Sequence, residues 1–334
     1  MSNKKAFEMQ FNWLFVLIAG AAIILFFTAI VVKQKSSSES TARTTILKSI
    51  ESIISSAGVS TDTTTLEDIP NSNIEIDCDK VSIGGVAKQY QTLILFAPAT
   101  IKGNSLITQT LTFIVPYRST NLLYMTSPGL RYILIGDNNI AREINRSLPM
   151  ELKKEVYKIV PAVRNGNNYK VRFIVFEDID VTGIDISALQ KMNDNSVTAI
   201  KVIGDEKKGD IEFYQKDNDA FQMKGTSSYI GKSSLIGAVY VDTLELYRCN
   251  MQNTFTRLNV VTNVYIERTR KLKESMAGNI KCTEIYDKAS SSLNIISRES
   301  LDFLRSDIDK LREAADSLAS ANNEAQVYSC PLVY

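Results

Sequence analysis

The sequence predicts an α/β fold: an N-terminal transmembrane helix, a mixed β-sheet domain with flanking helices, and a C-terminal antiparallel helical hairpin. Three observations carry this. No charged residue lies between Glu8 and Lys33. From Ile74 to about Tyr247, short β-branched runs bounded by Gly, Pro, Asp and Asn read as strands. After Tyr247, apolar residues recur at steps of four and three, the helical period. The expected organisation is a short cytoplasmic tail and transmembrane helix over 1–35, a juxtamembrane amphipathic helix and polar linker over 36–73, an extracytoplasmic α/β domain over 74–248, and a helical region over 249–334.

The anchor is WLFVLIAGAAIILFFTAIVV, from Trp13 and Leu14 to Val32. At ~1.5 Å per residue it spans about 30 Å, the thickness of the hydrocarbon layer. A signal-peptide core is shorter, at ~7–15 residues. Phe11 and Trp13 sit at one edge, where interfacial aromatics belong. Ala19, Gly20, Ala21 and Ala22 lie mid-helix, where small residues let neighbouring helices approach, rather than at a cleavage site. Lys4 and Lys5 before the helix nearly balance Lys33 and Lys35 after it, so flanking charge does not orient the span. The short first tail and the four cysteines downstream favour a cytoplasmic N-terminus and an outside body, in a single-pass protein of the cell membrane.

Beyond the polar SSSES at 36–40, Ile46, Leu47, Ile50, Ile53 and Ile54 follow helical spacing and predict an amphipathic helix ending near Gly58. TDTTTLEDIPNSN, 61–73, reads as a linker with a helix-stopping Pro70. A hairpin is expected over roughly 90–115. KVRFIVF and YILI are almost continuously apolar, as strands buried on both faces are. Helices are expected from Asn138 and from Pro149, with a short third over 188–192, and SLIGAVYV, 234–241, reads as a strand. In the last third, Met251, Phe255, Leu258 and Thr262 begin one helical stripe, and AGN at 277–279 ends that helix. Leu301, Leu304, Ile308, Leu311, Ala315 and Leu318 form a second stripe in the last helix. Two antiparallel helices packed together or on the sheet satisfy it. So does an assembly seam through Leu301, Leu304, Ile308, Leu311 and Leu318 with a protein partner or a second copy.

Cys78, Cys249, Cys282 and Cys330 lack metal-ligand spacing. Cys249 and Cys282 flank a helix of ~26 residues, about 39 Å long, which disulfide geometry cannot bridge. An antiparallel return would bring Cys330 to Cys249 and leave Cys78 for Cys282, with free buried thiols as the alternative.

The formal charge is +1 and the chain contains no histidine. That removes the commonest general base and metal ligand. GTSSYIGKSS, 225–234, resembles a phosphate-binding loop but encloses five residues between its glycines where four are needed, and it precedes an expected strand. Glu177, Asp178, Asp180 and Asp185 follow the strand KVRFIVF, where open α/β sheets bind ligands. That acidic loop is a candidate oxygen-ligand site for Ca²⁺ or Mg²⁺, or a solvated loop; no other cofactor is expected. YRSTNLLYMTSP, 117–128, offers hydroxyls and Arg118 without a base. The basic face of IERTRKLKE, 266–274, has no interleaved aromatics that would indicate nucleic acid.

MSNKKA before FEMQFNWLFV has the order of a prepilin leader, basic segment, small residue, apolar helix. In type IV pilins a Glu usually stands fifth after the cut; Glu8 would be second after Ala6. MQFNWLFVLIAGAAIILFF, NLLYMTSPGLRYILIG and SLIGAVYVDTLELYRCNM resemble segments of single-pass membrane-anchored proteins of small-genome archaea. The resemblance implies an archaeal membrane protein with an external body and carries over no catalytic residue. The expected function is a non-catalytic envelope or surface component that binds a partner or assembles. The alternatives are a ligand- or metal-binding domain using loop 177–185, as sensor or enzyme, and a pilin-like filament subunit.

Overall fold

A computed structural model of the chain describes all residues except 1–3, 58–59, 91–93, 165 and 177–178. It forms two compact units, 1–49 and 50–334.

Helix α1 runs unbroken over Lys4–Ala57. Its segment Val16–Lys35 has a mean hydropathy of 2.6 and none of it is buried; among the described residues it is the one helix stretch long and apolar enough to cross a membrane. Trp13 and Leu14 fall within α1, and Val32 is exposed on it. The one hydroxyl in the span's centre, Thr28, donates to the carbonyl of Ile24 and so exposes no unmet donor. The helix continues through the polar SSSES at 36–40. Serines and a glutamate weaken a helix only modestly, and no Gly or Pro interrupts the segment. In the second unit, Ile50 and Ile53 at the helix end are buried, as their spacing predicts.

The second unit holds two mixed six-stranded sheets. The first contains β1 (Thr64–Ile76), β2 (Lys80–Ile83), β3 (Val86–Gln89), β4 (Leu95–Phe96), β5 (Thr100–Ile114) and β6 (Arg118–Thr126), in the order β3-β2-β1-β5-β6-β4. The expected linker 61–73 is therefore largely strand. Most of β1 faces solvent, which is why its composition is polar. Only Ile69, Ile74 and Ile76 are buried, and Pro70 sits where the pairing with β5 shifts register. Thr65 and Thr108 pair across the strands, hydroxyl to hydroxyl, at 2.7 Å. The expected hairpin over 90–115 is instead the short β4 and the long β5, which pairs with β1 and β6.

The second sheet contains β7 (Leu130–Ile135), β8 (Lys153–Tyr157), β9 (Lys170–Phe176), β10 (Val197–Gly204), β11 (Lys208–Asp217) and β12 (Ala220–Ile230), in the order β12-β11-β10-β9-β7-β8. β8, β7, β9 and β10 are parallel; β11 and β12 return antiparallel. Helix α2 (Asn139–Ser147) crosses from β7 to β8, and Asn138 caps it by accepting from the Ala141 N–H at 2.8 Å. The expected helix from Pro149 is instead β8. Its charged residues lie on an edge strand open to water, so apolar alternation is weak. One face of β9 puts Val171, Phe173 and Val175 into a core with Val181, Ile184, Ile186 and Leu189 from the following loop. The other face carries Lys170, Arg172 and Ile174.

SLIGAVYV is a helix. Helix α3 (Gly231–Tyr240) is buried from Ser233 to Tyr240 and touches β4, β5, β6 and β12. A short run apolar all round reads the same as a buried strand, because neither has a polar face to betray its period. Gly237 lets it approach: a Cβ there would meet the Phe96 ring at 2.6 Å. A row of rings, Tyr132, Tyr240, Tyr124, Phe96, Tyr247 and Phe213, runs through this core with neighbouring centroids 5.3–6.1 Å apart.

The C-terminal third has three helices where two were expected: α4 (Leu244–Ser275), α5 (Ile280–Glu299) and α6 (Ile308–Val327). α4 lies on β4, β6 and β12 through its predicted stripe, with Met251, Phe255, Leu258 and Thr262 buried. α5 runs back along α4, as Asn259 donating to the Ser297 carbonyl and Lys273 beside Asp287 show. α6 returns along α5, with Ser292 donating to Ser317 at 3.0 Å. Leu301 and Leu304 lie in the exposed turn between α5 and α6, outside any α-helix, and Ile308 begins α6. Leu311 and Leu318 are buried within this chain. The five do not form one continuous helical seam. Asp302 and Asp307 cap two separate helical starts and divide the stripe.

The third helix also corrects the cysteine pairing. Cys78 lies beside Cys249, with Cα atoms 5.8 Å apart, and Cys282 beside Cys330, at 5.7 Å. Both are disulfide distances. One return helix would end near the start of α4, at Cys249. A second reversal ends instead near the start of α5, at Cys282.

Candidate functional site

The sites singled out in the sequence do not come together. Glu177 and Asp178 lie outside the described residues. Asp180 and Asp185 are present on the expected loop, but each carboxylate closes a local turn. Asp180 accepts from the Thr182 hydroxyl at 2.7 Å and the Thr182 N–H at 2.9 Å. The hydroxyl and then the N–H hold its carboxyl below the usual carboxylate range. Asp185 is held down likewise by the Ser187 N–H at 2.9 Å. Among the described residues no three carboxylates or cysteines gather as metal ligands.

GTSSYIGKSS does follow a strand and open a helix, contrary to the expected strand after it. It still lacks a phosphate-binding loop. Gly225 to Ile230 is extended β12, paired residue by residue with β11, so it makes no loop that could wrap a phosphate. Gly231 makes the turn with φ +78°, and Lys232 pairs with Glu143 at 2.8 Å. The hydroxyl-rich 117–128 segment is mostly β6, and just past that strand Ser127 donates to the Lys102 carbonyl at 2.9 Å. The basic face of α4 is occupied by its own acids: Arg270 bonds Glu267 and Glu274, and Lys271 lies 3.8 Å from Glu267.

The structure shows a different site, at the opposite end of β9. Lys170 is the first residue of β9, and Asp242 lies in the joint between α3 and α4, capped onward by Thr243. Their side chains form a buried ion pair. The second Asp242 oxygen accepts from the Ala99 N–H at 2.8 Å, so one carboxylate ties the first sheet to the second. Such a pair is costly to desolvate and strongly destabilising to break, which makes it a rigid fixture. Around it opens a cleft of 340 Å³, within the size range of small-ligand sites. Thr198 on β10 and Gln215 opposite it on β11 line one wall, and Asn193 and Asn195 come from the turn before β10. Lys102 of β5 and Tyr169 line the other.

Three polar features distinguish this cleft. Thr198 is 2% exposed, and its hydroxyl has no hydrogen-bond partner among the described residues. Gln215 donates its amide to the Asn195 carbonyl oxygen, which leaves the Asn195 amide NH2 to donate and the Gln215 carbonyl oxygen to accept. Burial raises the Tyr169 phenol, which remains a neutral hydrogen-bonding group beside the Ser127 hydroxyl at 3.1 Å. Two residues along β9, Arg172 is fully buried, donating to the carbonyls of Ala238 and Val239. Burial pulls it down to about 10, so it stays charged at neutral pH.

None of these residues was singled out by sequence. The available signal was KVRFIVF itself: two cations inside an otherwise apolar strand must find partners when buried. Asp242, placed after the apolar run of α3, was the natural candidate. No protein-family model, curated protein or solved structure matches the chain.

Proposed function

We propose that the protein is a single-pass membrane protein whose α/β body lies on the extracytoplasmic side and acts as a non-catalytic binding component of the cell envelope. The observation that carries this is the unburied apolar segment Val16–Lys35, joined to a body whose four cysteines stand in two pairs at disulfide distance. An apolar helix that finds no cover in the fold is stable in lipid. Paired cysteines far apart in sequence suit an oxidising compartment. The polar cleft beside Lys170 and Asp242 supports binding as the role. It brings hydroxyls and amides together without a nucleophile–base pair, and the sequence supplies no histidine.

Thiol trapping in whole cells tests the topology. Cells quenched in acid and alkylated with a mass-tagged maleimide should show no modified cysteine until reductant is added, and four afterwards. External protease should remove the body from intact cells. Alkylation of all four thiols without reductant, or protection of the body until lysis, refutes the reading.

A pilin-like filament subunit is the second reading, favoured by the unbroken α1. At ~1.5 Å per residue it is about 81 Å long, far beyond a bilayer's ~30 Å. Intact-mass measurement decides: loss of residues 1–6 supports the filament reading, and an unprocessed N-terminus removes it.

A further inference from the structure

We infer that the cleft between the N-terminal ends of β9 and β10 and the start of β5 binds a small hydroxylated carboxylate, a sugar acid of hexuronate size. The inference rests on the binding role proposed above and names its ligand. Topology and ligand are tested by separate measurements, so either can fail alone.

Charge selects the sign. Lys170 and Lys102 face one carboxylate, Asp242, so the cleft carries one excess positive charge. Both Asp242 oxygens are already engaged, by Lys170 and the Ala99 N–H. No free carboxylate remains for a ligand cation. Lys102, exposed at the mouth, has no ion-pair partner among the described residues. It can meet a ligand carboxylate without first breaking a bond. A phosphate dianion fits worse, because the cleft's single excess positive charge matches a monoanion, the buried Asp242 charge repels a second negative charge, and no arginine lines the cleft.

The remaining lining selects hydroxyls. The buried Thr198 Oγ1 has no partner among the described residues, and a buried polar group left so is costly unless a bound molecule or water meets it. The Asn195–Gln215 pair leaves the Asn195 amide NH2 as donor and the Gln215 carbonyl oxygen as acceptor, which adjacent hydroxyls satisfy because each both donates and accepts. Lys170 is a three-donor ammonium with one hydrogen-bond partner among the described residues, Asp242, and has donors to spare. An apolar ligand would strand all of these. A simple carboxylate such as acetate would use Lys102 and leave the rest unmet.

The test is a titration of the full chain in phosphatidylcholine nanodiscs, free of sugar-headed detergent, read by calorimetry and ligand-observed NMR. The probes are glucuronate, glucose, acetate and inorganic phosphate. Glucuronate should saturate below about 10 mM, with glucose, acetate and phosphate each at least about tenfold weaker. Lys102→Ala, at an exposed position, should weaken glucuronate about tenfold and leave glucose unchanged. Thr198→Val and Gln215→Ala should weaken both sugars. If Thr198→Val fails to fold, the exposed Lys102 and half-buried Gln215 variants carry the test. No saturation by glucuronate overturns the inference. Equal binding of acetate or of glucose overturns the hydroxyl or the carboxylate half of it, and tighter phosphate overturns both.

Discussion

Replacing Cys282 and Cys330 together by alanine should cost about 4 kcal/mol of stability. The two residues are 48 apart in sequence, and closing a loop of that length removes about 14 cal/mol/K from the unfolded chain. At room temperature this is a ~1000-fold change in the folding equilibrium. Alanine is the right replacement because both cysteines are buried and serine would add an unmet hydroxyl. The assay is urea unfolding of the full chain followed by far-ultraviolet circular dichroism, since the single tryptophan, Trp13, belongs to the first compact unit and the disulfides to the second. With a slope of about 3 kcal/mol per molar, the midpoint should fall by roughly 1.3 M. The pair Cys78 and Cys249, 171 residues apart, should cost more, about 5 kcal/mol on the same reasoning. Reductant should lower the wild-type midpoint and leave that of a four-alanine variant unchanged. A midpoint shift under about 0.3 M for either pair, or a cross-linked peptide joining Cys249 to Cys330, refutes the argument that three antiparallel helices set the pairing.

Asp242→Ala should cost about 3–5 kcal/mol, because it strands the Lys170 ammonium and the Ala99 N–H inside the protein. Asp242→Ala with Lys170→Met should recover much of that loss in the same urea assay. Glu155 accepts two bonds from Arg131, each 2.7 Å, and these, ahead of other causes, hold its carboxyl below the usual range. Its folded value lies below its unfolded one. The stability it adds is therefore fully present above about pH 4.3 and is lost as pH falls through the folded value. Glu155→Gln should lower the midpoint at pH 7 and have little effect near pH 2, so the two acid-titration curves should converge.

The long apolar helix and the strands of the second sheet's centre were legible because each carries its own context. A long uncharged run needs no neighbour to declare it lipid-compatible, and KVRFIVF is apolar enough to be buried wherever it lands. The capped helix at Asn138 and the stripe through Met251, Phe255 and Leu258 were equally local. The failures share one cause. α3, β1 and β8 take their form from what covers or exposes them: α3 is enclosed on all sides, β1 is polar because one face meets water, and β8 is a charged edge. None shows a period that fixes its type. The cleft was illegible for a further reason. Lys170 and Asp242 are 72 residues apart, and Lys102, Thr198 and Gln215 come from three other strands.

The sequence by itself determined that one segment is long and apolar enough to cross a membrane, that an α/β body follows, that helices end the chain and that Cys249 cannot meet Cys282 across an intervening helix. Only the tertiary structure decided which cysteines pair, because that depends on whether the helical layer reverses once or twice. Only it decided where a ligand could sit, because the charges and hydroxyls of the cleft become neighbours through strand order and register, which local residue patterns do not encode.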